Sequence, residues 1–161
     1  RVTYSSTCPC SASLARQLIQ RHFEKEFAGR KDIGVAEMSE WLGREESIIA
    51  TPHAQRSIAD ITVEFCDENP VLDPLRLIDM AEDALQTPVQ AAVKREDEQE
   101  FARLNASNYM FCEDAARKIK AAIGQWKGLT DYHIQVEHQE SLHPHDAVAV
   151  AVKGVPGGFQ A

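Results

Sequence analysis

The order of apolar and polar residues along the chain predicts four strands and four helices. Alternation of apolar and polar side chains, the pattern of a half-buried strand, occurs over residues 58–65, 130–141 and 147–153. A run of β-forming residues predicts a further strand over 1–7. Apolar residues recur every three or four positions, as in a helix that buries one face, over 13–29, 35–42, 74–86 and 110–128. Residues 89–107 follow neither period, and we expect a loop or a short irregular element there.

The order of these elements predicts an α+β fold in which one antiparallel sheet carries helices on a single face. With 161 residues, 43% of them hydrophobic, the chain is long enough for one sizeable core, so we expect a single domain. The chain begins at Arg1, inside a predicted strand, and we therefore expect it to be part of a longer polypeptide.

Charge and hydropathy narrow the class of protein. A net charge of −8 argues against a general nucleic-acid-binding surface, because such a surface needs an excess of cations. The sequence has no run of eighteen apolar residues and no charged-then-apolar amino terminus, so we expect neither a membrane span nor a signal peptide. Four cysteines without C-x-x-C pairing fit a reducing cytoplasm better than a disulfide-stapled secreted domain.

Two thiols one residue apart, Cys8 and Cys10, are the first candidates for chemistry. Pro9 between them fixes its own φ and lacks a backbone donor, so we expect the first strand to end there and to leave both thiols at its end. The alternative is that these are small buried residues, as free cysteines often are. The other two cysteines, Cys66 and Cys112, fall on apolar-patterned elements, where we expect core positions.

A second candidate is the segment 137–146, which places three histidines and three acidic residues at a predicted strand end. Thiolate, imidazole and carboxylate groups are the ordinary ligands of zinc and its neighbours, and three such ligands with one open position make a catalytic site. Cys8, His53 and the pair of Glu140 and His143 could supply that set. The alternative is a polar, solvated turn that binds nothing.

Five blocks of sequence, in order along nearly the whole chain, resemble the GTP cyclohydrolases of the prokaryotic type IB family. The blocks are Thr-Cys-Pro-Cys-Ser at 7–11, Pro-His-Ala-Gln-Arg-Ser at 52–57, Val-Lys-Arg-Glu-Asp-Glu at 93–98, Asn-Tyr-Met-Phe-Cys-Glu-Asp at 108–114 and Glu-Ser-Leu-His-Pro-His-Asp-Ala at 140–147.

The resemblance implies the tunnelling fold, a module of two strands, two helices and two strands. Residues 1–161 would form one such module, with a helical insertion at about 12–47, and would be the carboxy-terminal module of a longer two-module chain. The insertion is longer than the family's pattern, and Ala54 and Pro144 stand where many members have asparagine.

The resemblance also implies an activity and a metal. Members of this family convert GTP and water into 7,8-dihydroneopterin triphosphate and formate, the first step of pterin and folate biosynthesis and also of deazapurine biosynthesis. The resemblance implies a divalent metal, either zinc, manganese or iron. The residues similar to those that form or border the family's metal environment are Cys8, His53, Glu98, Glu140 and His143.

Three further roles follow from the resemblance or from charge. Cys10 is similar to the family's essential thiol, with His53 as a second catalytic residue, and Glu113 is similar to the acid that anchors the purine. The triphosphate needs cations in an otherwise acidic protein, and our hypothesis for them is Arg56, Lys94 and Arg95.

The resemblance further implies a homo-oligomer, a tetramer, with active sites at subunit interfaces. Two alternatives are a non-catalytic metal-binding module of the same fold that only assembles with partners, and a deazapurine nitrile reductase of that fold.

Overall fold

The computed structural model describes residues 1–66 and 73–161 and contains a four-stranded antiparallel sheet. In their order across the sheet, the strands are β1 (Val2–Thr7), β2 (Ala54–Phe65), β3 (Leu129–His138) and β4 (Ala147–Val152). Over the same two ranges the α-helices are α1 (Pro9–Glu26), α2 (Val35–Gly43), α3 (Pro74–Leu85), α4 (Arg95–Ser107) and α5 (Cys112–Ile123), and a single 3-10 turn covers Glu45–Ser47. These elements confirm the predicted α+β class.

One face of the sheet forms the core with α3 and α5. Tyr4 of β1 and Ile134 of β3 are fully buried there, together with Leu85 of α3 and Ile119 of α5. Helix α5 contacts β3 and β4, while α3 contacts α5 and β1. On the opposite face the alternation leaves Val148 of β4 53% exposed. The two helices therefore cover one face, because period-2 alternation turns every second side chain of each strand toward them.

Helix α4 corrects the prediction of a loop over 89–107. Its first turn carries three acids, which the helix dipole favours, and the Asp97 carboxylate accepts a hydrogen bond from the Lys94 backbone N–H at 2.8 Å. No side chain of α4 is buried. The 3.6-residue apolar period arises only where a helix buries a face, so it was absent from this part of the sequence.

The attachment of α4 to the sheet is mainly polar. The Asn105 side-chain oxygen accepts hydrogen bonds from the hydroxyls of Ser5 at 2.9 Å and Thr7 at 3.4 Å. Ser5 and Thr7 alternate along β1 with Tyr4 and Ser6, which are buried. Helix α4 therefore contacts β1 through Ser5 and Thr7, whose side chains lie on the face of the sheet opposite to α3 and α5.

Helix α1 begins earlier than predicted, at Pro9 instead of near residue 13. Strand β1 does end just before the proline, as expected, but the chain turns into a helix at once, because proline is also well suited to the first helical position. Cys8 is therefore the N-cap residue of α1 and Cys10 lies in its first turn. The two thiols stand at a helix start and not on one side of a strand.

The chain divides into two compact units by its internal contacts. One comprises Arg1–Thr7 and Ala54–Ala161 and contains the sheet, and the other comprises Cys8–His53 and contains α1 and α2. In the second unit the ring of Trp41 is 2% exposed and packs edge-on against Phe23, with its indole N–H donating to Glu26 at 2.8 Å. The division of residues 1–161 into a tunnelling-fold module with an insertion stays a prediction. Among the described helices, we find none that combines the length and the apolar character needed to cross a membrane.

Candidate functional site

The predicted metal ligands are shared between the two units. Cys8 and His53 belong to the helical unit, whereas Glu98, Glu140 and His143 belong to the sheet unit. Within the described part of either unit, no three histidine, cysteine or acidic side chains lie close enough together to hold a metal ion. The structure therefore does not assemble the full ligand set within the described part of one unit.

In the helical unit, the start of α1 and the end of the unit come together. Ser11 lies in the first turn of α1, and its hydroxyl oxygen accepts a hydrogen bond from the backbone N–H of His53 at 3.0 Å. His53 directly precedes β2, as predicted. On the same turn, Cys8 is half-buried and Cys10 is exposed. The backbone of His53 is therefore held by Ser11 at the first turn of α1, the turn that also carries Cys10.

In the sheet unit, Glu140 is held from two directions just after β3. Its backbone N–H donates to Asp146 at 2.9 Å, and its side-chain Oε1 accepts a hydrogen bond from the Gln55 amide at 3.0 Å. His143 lies in the turn that follows, where its exposed ring stacks on that of His145 with centroids 5.3 Å apart. Sequence reasoning missed Gln55, whose only signal is that a polar residue falls in phase with the buried positions of β2.

The first of the three histidines in the 137–146 segment is buried, whereas the other two are exposed. His138 is buried, and its Nε2 lies 2.7 Å from the hydroxyl of Tyr4. Next to this pair, the hydroxyls of Ser6 and Ser57 are hydrogen-bonded at 2.7 Å. Burial lowers the pKa of His138 to about 4, despite nearby acids that act in the other direction. His138 is therefore neutral at physiological pH and belongs to the polar part of the core.

Acidification is expected to destabilise the fold through His138. Because its pKa is lower in the folded state, neutral His138 contributes its stability above about pH 6.5, and that contribution is lost as the pH falls toward 4. Between pH 7 and pH 5 we expect the free energy of unfolding to drop by about 2 kcal/mol from this residue. Denaturant unfolding at both pH values, with a chelator present, measures the drop.

In the variant His138→Gln, the free energy of unfolding is expected to change less between pH 7 and pH 5, whatever the absolute stability of the variant. The slope of the free energy of unfolding against pH is therefore the quantity to compare. The matched control is His133→Gln, a half-buried histidine on the same strand, which should keep the slope of the unsubstituted protein. A His138→Gln protein with an unchanged slope would contradict the assignment.

The predicted phosphate-binding cations lie on two elements. Arg56 is on β2, paired in register with Ser5, and Lys94 and Arg95 are the N-cap and first residue of α4. All three are exposed. A cavity of about 470 Å³ is lined by Ser5, Ala54, Val93, Glu98, Phe101, Ala102 and Asn105, of which Val93 directly precedes Lys94 in the chain. The structure therefore places Glu98, a predicted ligand, at a cavity between α4 and the paired ends of β1 and β2.

Glu113 stands in the first turn of α5, where it is exposed. A hydrogen bond with its own backbone N–H, followed by one from the Cys112 thiol at 3.3 Å, holds the pKa of the Glu113 carboxyl below its ordinary value. A pocket of about 360 Å³ opens here and is lined by Phe111, Glu113, Asp114 and Arg117. Glu113 is therefore an ionised carboxylate at neutral pH, able only to accept hydrogen bonds.

The two remaining cysteines differ from each other. Cys112 is buried as expected, and burial raises the pKa of its thiol to about 11, so it stays protonated. Cys66 is exposed just after β2, and the expectation of a core position was wrong for it. Phe65 packs its ring on Trp126, but the strand ends there and the next side chain faces solvent.

Comparison with known proteins identifies the family. Residues 1–149 match the family described as type I GTP cyclohydrolase folE2. The chain is similar to proteins named GTP cyclohydrolase FolE2 from three bacteria. It is 59% identical to the protein of Pseudoalteromonas translucida over 160 residues, which are 99% of this chain and 52% of the relative. It is 56% identical to the protein of Hydrogenovibrio crunogenus over 158 residues, which are 98% of this chain and 50% of the relative. It is 52% identical to the protein of Bdellovibrio bacteriovorus over 154 residues, which are 96% of this chain and 50% of the relative.

The chain spans about half the length of these curated relatives. The family match covers every block from which the resemblance was drawn, from the cysteine pair near residue 8 to the histidine-rich segment that ends at 146. The chain belongs to the type I GTP cyclohydrolase folE2 family.

Proposed function

We propose that the protein is a metal-dependent GTP cyclohydrolase that converts GTP and water into 7,8-dihydroneopterin triphosphate and formate. The observation that carries this proposal is the 59% identity, over 99% of the chain, to a protein named GTP cyclohydrolase FolE2. Because that match covers 52% of the relative, the remaining half of such a protein could supply part of the activity. The product would feed folate biosynthesis.

The residues present fit a divalent metal by their chemistry. A thiol, two imidazoles and two carboxylates, from Cys8, His53, His143, Glu98 and Glu140, are donors that zinc, manganese and iron accept. The carboxylate of Glu140 accepts a hydrogen bond from Gln55, as metal-ligating carboxylates in proteins commonly do from a neighbouring donor. When bound, a divalent metal lowers the pKa of water from 15.7 to about 7 and so makes hydroxide available at neutral pH.

The chain's own residues would then bind the purine and move protons. The ionised carboxylate of Glu113 can accept from two N–H groups of the guanine edge at once, which selects guanine over adenine. Cys10 presents an exposed thiol on the first turn of α1, and His53 is held at the same turn. These two groups would transfer protons while water opens the imidazole ring and C8 leaves as formate.

Removing the proposed phosphate-binding cations is expected to weaken binding of the triphosphate specifically. The variants Arg56→Ala, Lys94→Ala and Arg95→Ala should each weaken GTP binding about tenfold or more and guanosine binding little, because hydrogen bonds to charged groups are the strong ones. Titration calorimetry with both ligands measures the difference. The matched control is Arg103→Ala, an exposed cation of α4 that pairs with Glu100 on the same helix. Equal losses for GTP and guanosine would contradict the assignment.

We further propose that the protein works as a homo-oligomer, a tetramer, with active sites at subunit interfaces. Over the described residues the sheet ends at the edge strand β4, and an unpaired strand edge supports an assembly in which another chain covers it. Light scattering on the full-length protein measures the oligomeric state. A monomer that turns over GTP would contradict this part of the proposal.

The activity is tested directly by incubating the full-length protein with GTP and zinc, manganese or iron. The oxidised product is a fluorescent pterin, and formate should appear in equal amount. We expect product that depends on added metal and disappears with a chelator. No pterin with any of the metals would overturn the proposal and favour a non-catalytic binding module.

A further inference from the structure

Gln55 occupies an unusual place for a neutral amide. It is the second residue of β2 and is 9% exposed, at a core-facing position of the alternation that also places Ser57 and Ala59 inside. Its Nε2 donates to Glu140 Oε1 at 3.0 Å, across 85 residues of sequence. A buried amide is costly unless it is hydrogen-bonded, so this contact fixes the Gln55 side chain as well as the carboxylate.

The surroundings of Gln55 limit its freedom further. In the sheet register Ser6 stands opposite Gln55, and the Ser6 hydroxyl is bonded to that of Ser57 at 2.7 Å. Beyond this pair lies the buried contact between Tyr4 and His138. The core face of the sheet is thus polar at this end, and the row of polar side chains leads from the interior to Glu140.

Glu140 is restrained at both its backbone and its side chain. Its N–H donates to Asp146 at 2.9 Å, which fixes the main chain, and Gln55 takes one of its two carboxylate oxygens. A carboxylate can accept at both oxygens, so the bond to Oε1 orients the other oxygen without using it. This arrangement suits a group that must present one oxygen in a set direction.

We propose that Gln55 is a positioning residue, which orients the Glu140 carboxylate for the divalent metal through the hydrogen bond to Oε1. This inference rests on the proposed function, since it takes Glu140 as a metal ligand. A glutamine suits the task because it donates a hydrogen bond and carries no charge. A carboxylate in its place would repel Glu140, and a thioether of similar size would leave Glu140 without a donor.

The test is the affinity of the full-length protein for zinc, measured by competition with a chromophoric chelator. We expect Gln55→Met to bind zinc 10- to 100-fold more weakly, the usual cost of losing a partner that orients a ligand. Gln55→Leu also removes the donor without adding a charge and should weaken binding by a similar factor, so it serves if the methionine variant does not fold. The matched control is Gln135→Met, the same change at a half-buried position of β3 on the opposite face, which should bind as the unsubstituted protein does.

A double-variant cycle separates positioning from a general structural role. In a Glu140→Gln background the Gln55→Met change should cost little more zinc affinity, because Gln55 acts through Glu140. An undiminished affinity in both Gln55 variants, or a loss of the same factor in both backgrounds, would overturn the inference while leaving the metal centre intact. If the unsubstituted protein takes up no metal at all, the proposed centre fails, and this inference fails with it.

Discussion

Replacing Cys8 with alanine is expected to remove both the metal and the activity, whereas replacing Cys10 is expected to keep the metal and lose turnover. Both thiols stand at the start of α1, but their surroundings differ, since Cys8 is half-buried at the N-cap and Cys10 is exposed. The Cys8 side chain makes no capping hydrogen bond to the helix, so the thiol does not serve the helix itself. Loss of a thiolate ligand removes one of the strongest bonds that such a metal makes with protein.

Cys10 would act on the substrate instead. A group that moves a proton in the rate-limiting step contributes about 10²- to 10⁴-fold to the rate, and we expect kcat to fall by that range in Cys10→Ala.

Metal content after dialysis, turnover of GTP and helical circular dichroism together measure the two outcomes. Cys66→Ala, an exposed thiol outside the proposed site, is the matched control and should change none of them. The division of roles would be wrong if both variants lost metal equally.

The sequence predicted the sheet well because the sheet has one buried face. Strands β2, β3 and β4 were all found from period-2 alternation, and α3 was placed by Asp73 and Pro74, a capping residue followed by proline. Asp73 does accept a hydrogen bond from the Arg76 backbone N–H at 3.1 Å. The prediction failed for α4, where a loop was expected. This helix buries no side chain, so its sequence shows no apolar period.

The start of α1 shows a second limit. Pro9 ends a strand and also opens a helix, and the sequence alone does not say which follows. The prediction used the first property and placed the thiols at the end of a strand. The structure shows the second, which changes the surroundings of Cys8 and Cys10 from a strand end to a helix N-terminus.

The sequence names candidate site residues but not the contacts that hold them. The bond from His53 to Ser11 spans 42 residues and that from Gln55 to Glu140 spans 85, and spacing in the sequence says nothing about either distance. One signal for Gln55 was present, because it falls in phase with the buried positions of β2. A polar residue at a core-facing position needs a hydrogen-bond partner, and this requirement singles out Gln55.

Replacing Glu113 with glutamine is expected to lower kcat/KM for GTP about 10³-fold and to abolish the preference for GTP over ITP. In the proposed complex the ionised carboxylate would accept from two guanine N–H donors, each bond worth about 1.5–3 kcal/mol because one partner is charged. The amide of glutamine offers one acceptor and turns an N–H group toward the second donor of the base. ITP lacks the 2-amino group, so it makes one of the two bonds and should be the poorer substrate of the unsubstituted protein by about 10- to 100-fold.

Steady-state kinetics with both nucleotides isolates the contribution of Glu113. In Glu113→Gln the ratio of kcat/KM for GTP to that for ITP should fall to within a few fold of one, because the carboxylate proposed to bind the 2-amino group is gone. The matched control is Asp114→Asn in the same pocket, which keeps an oxygen to accept from the Phe111 N–H and loses only an exposed ion pair with Arg117. Its rate and its GTP preference should stay within a few fold of the unsubstituted values. A GTP preference that survives in Glu113→Gln would mean that another group binds the guanine edge. Glu113 would then only stabilise the first turn of α5.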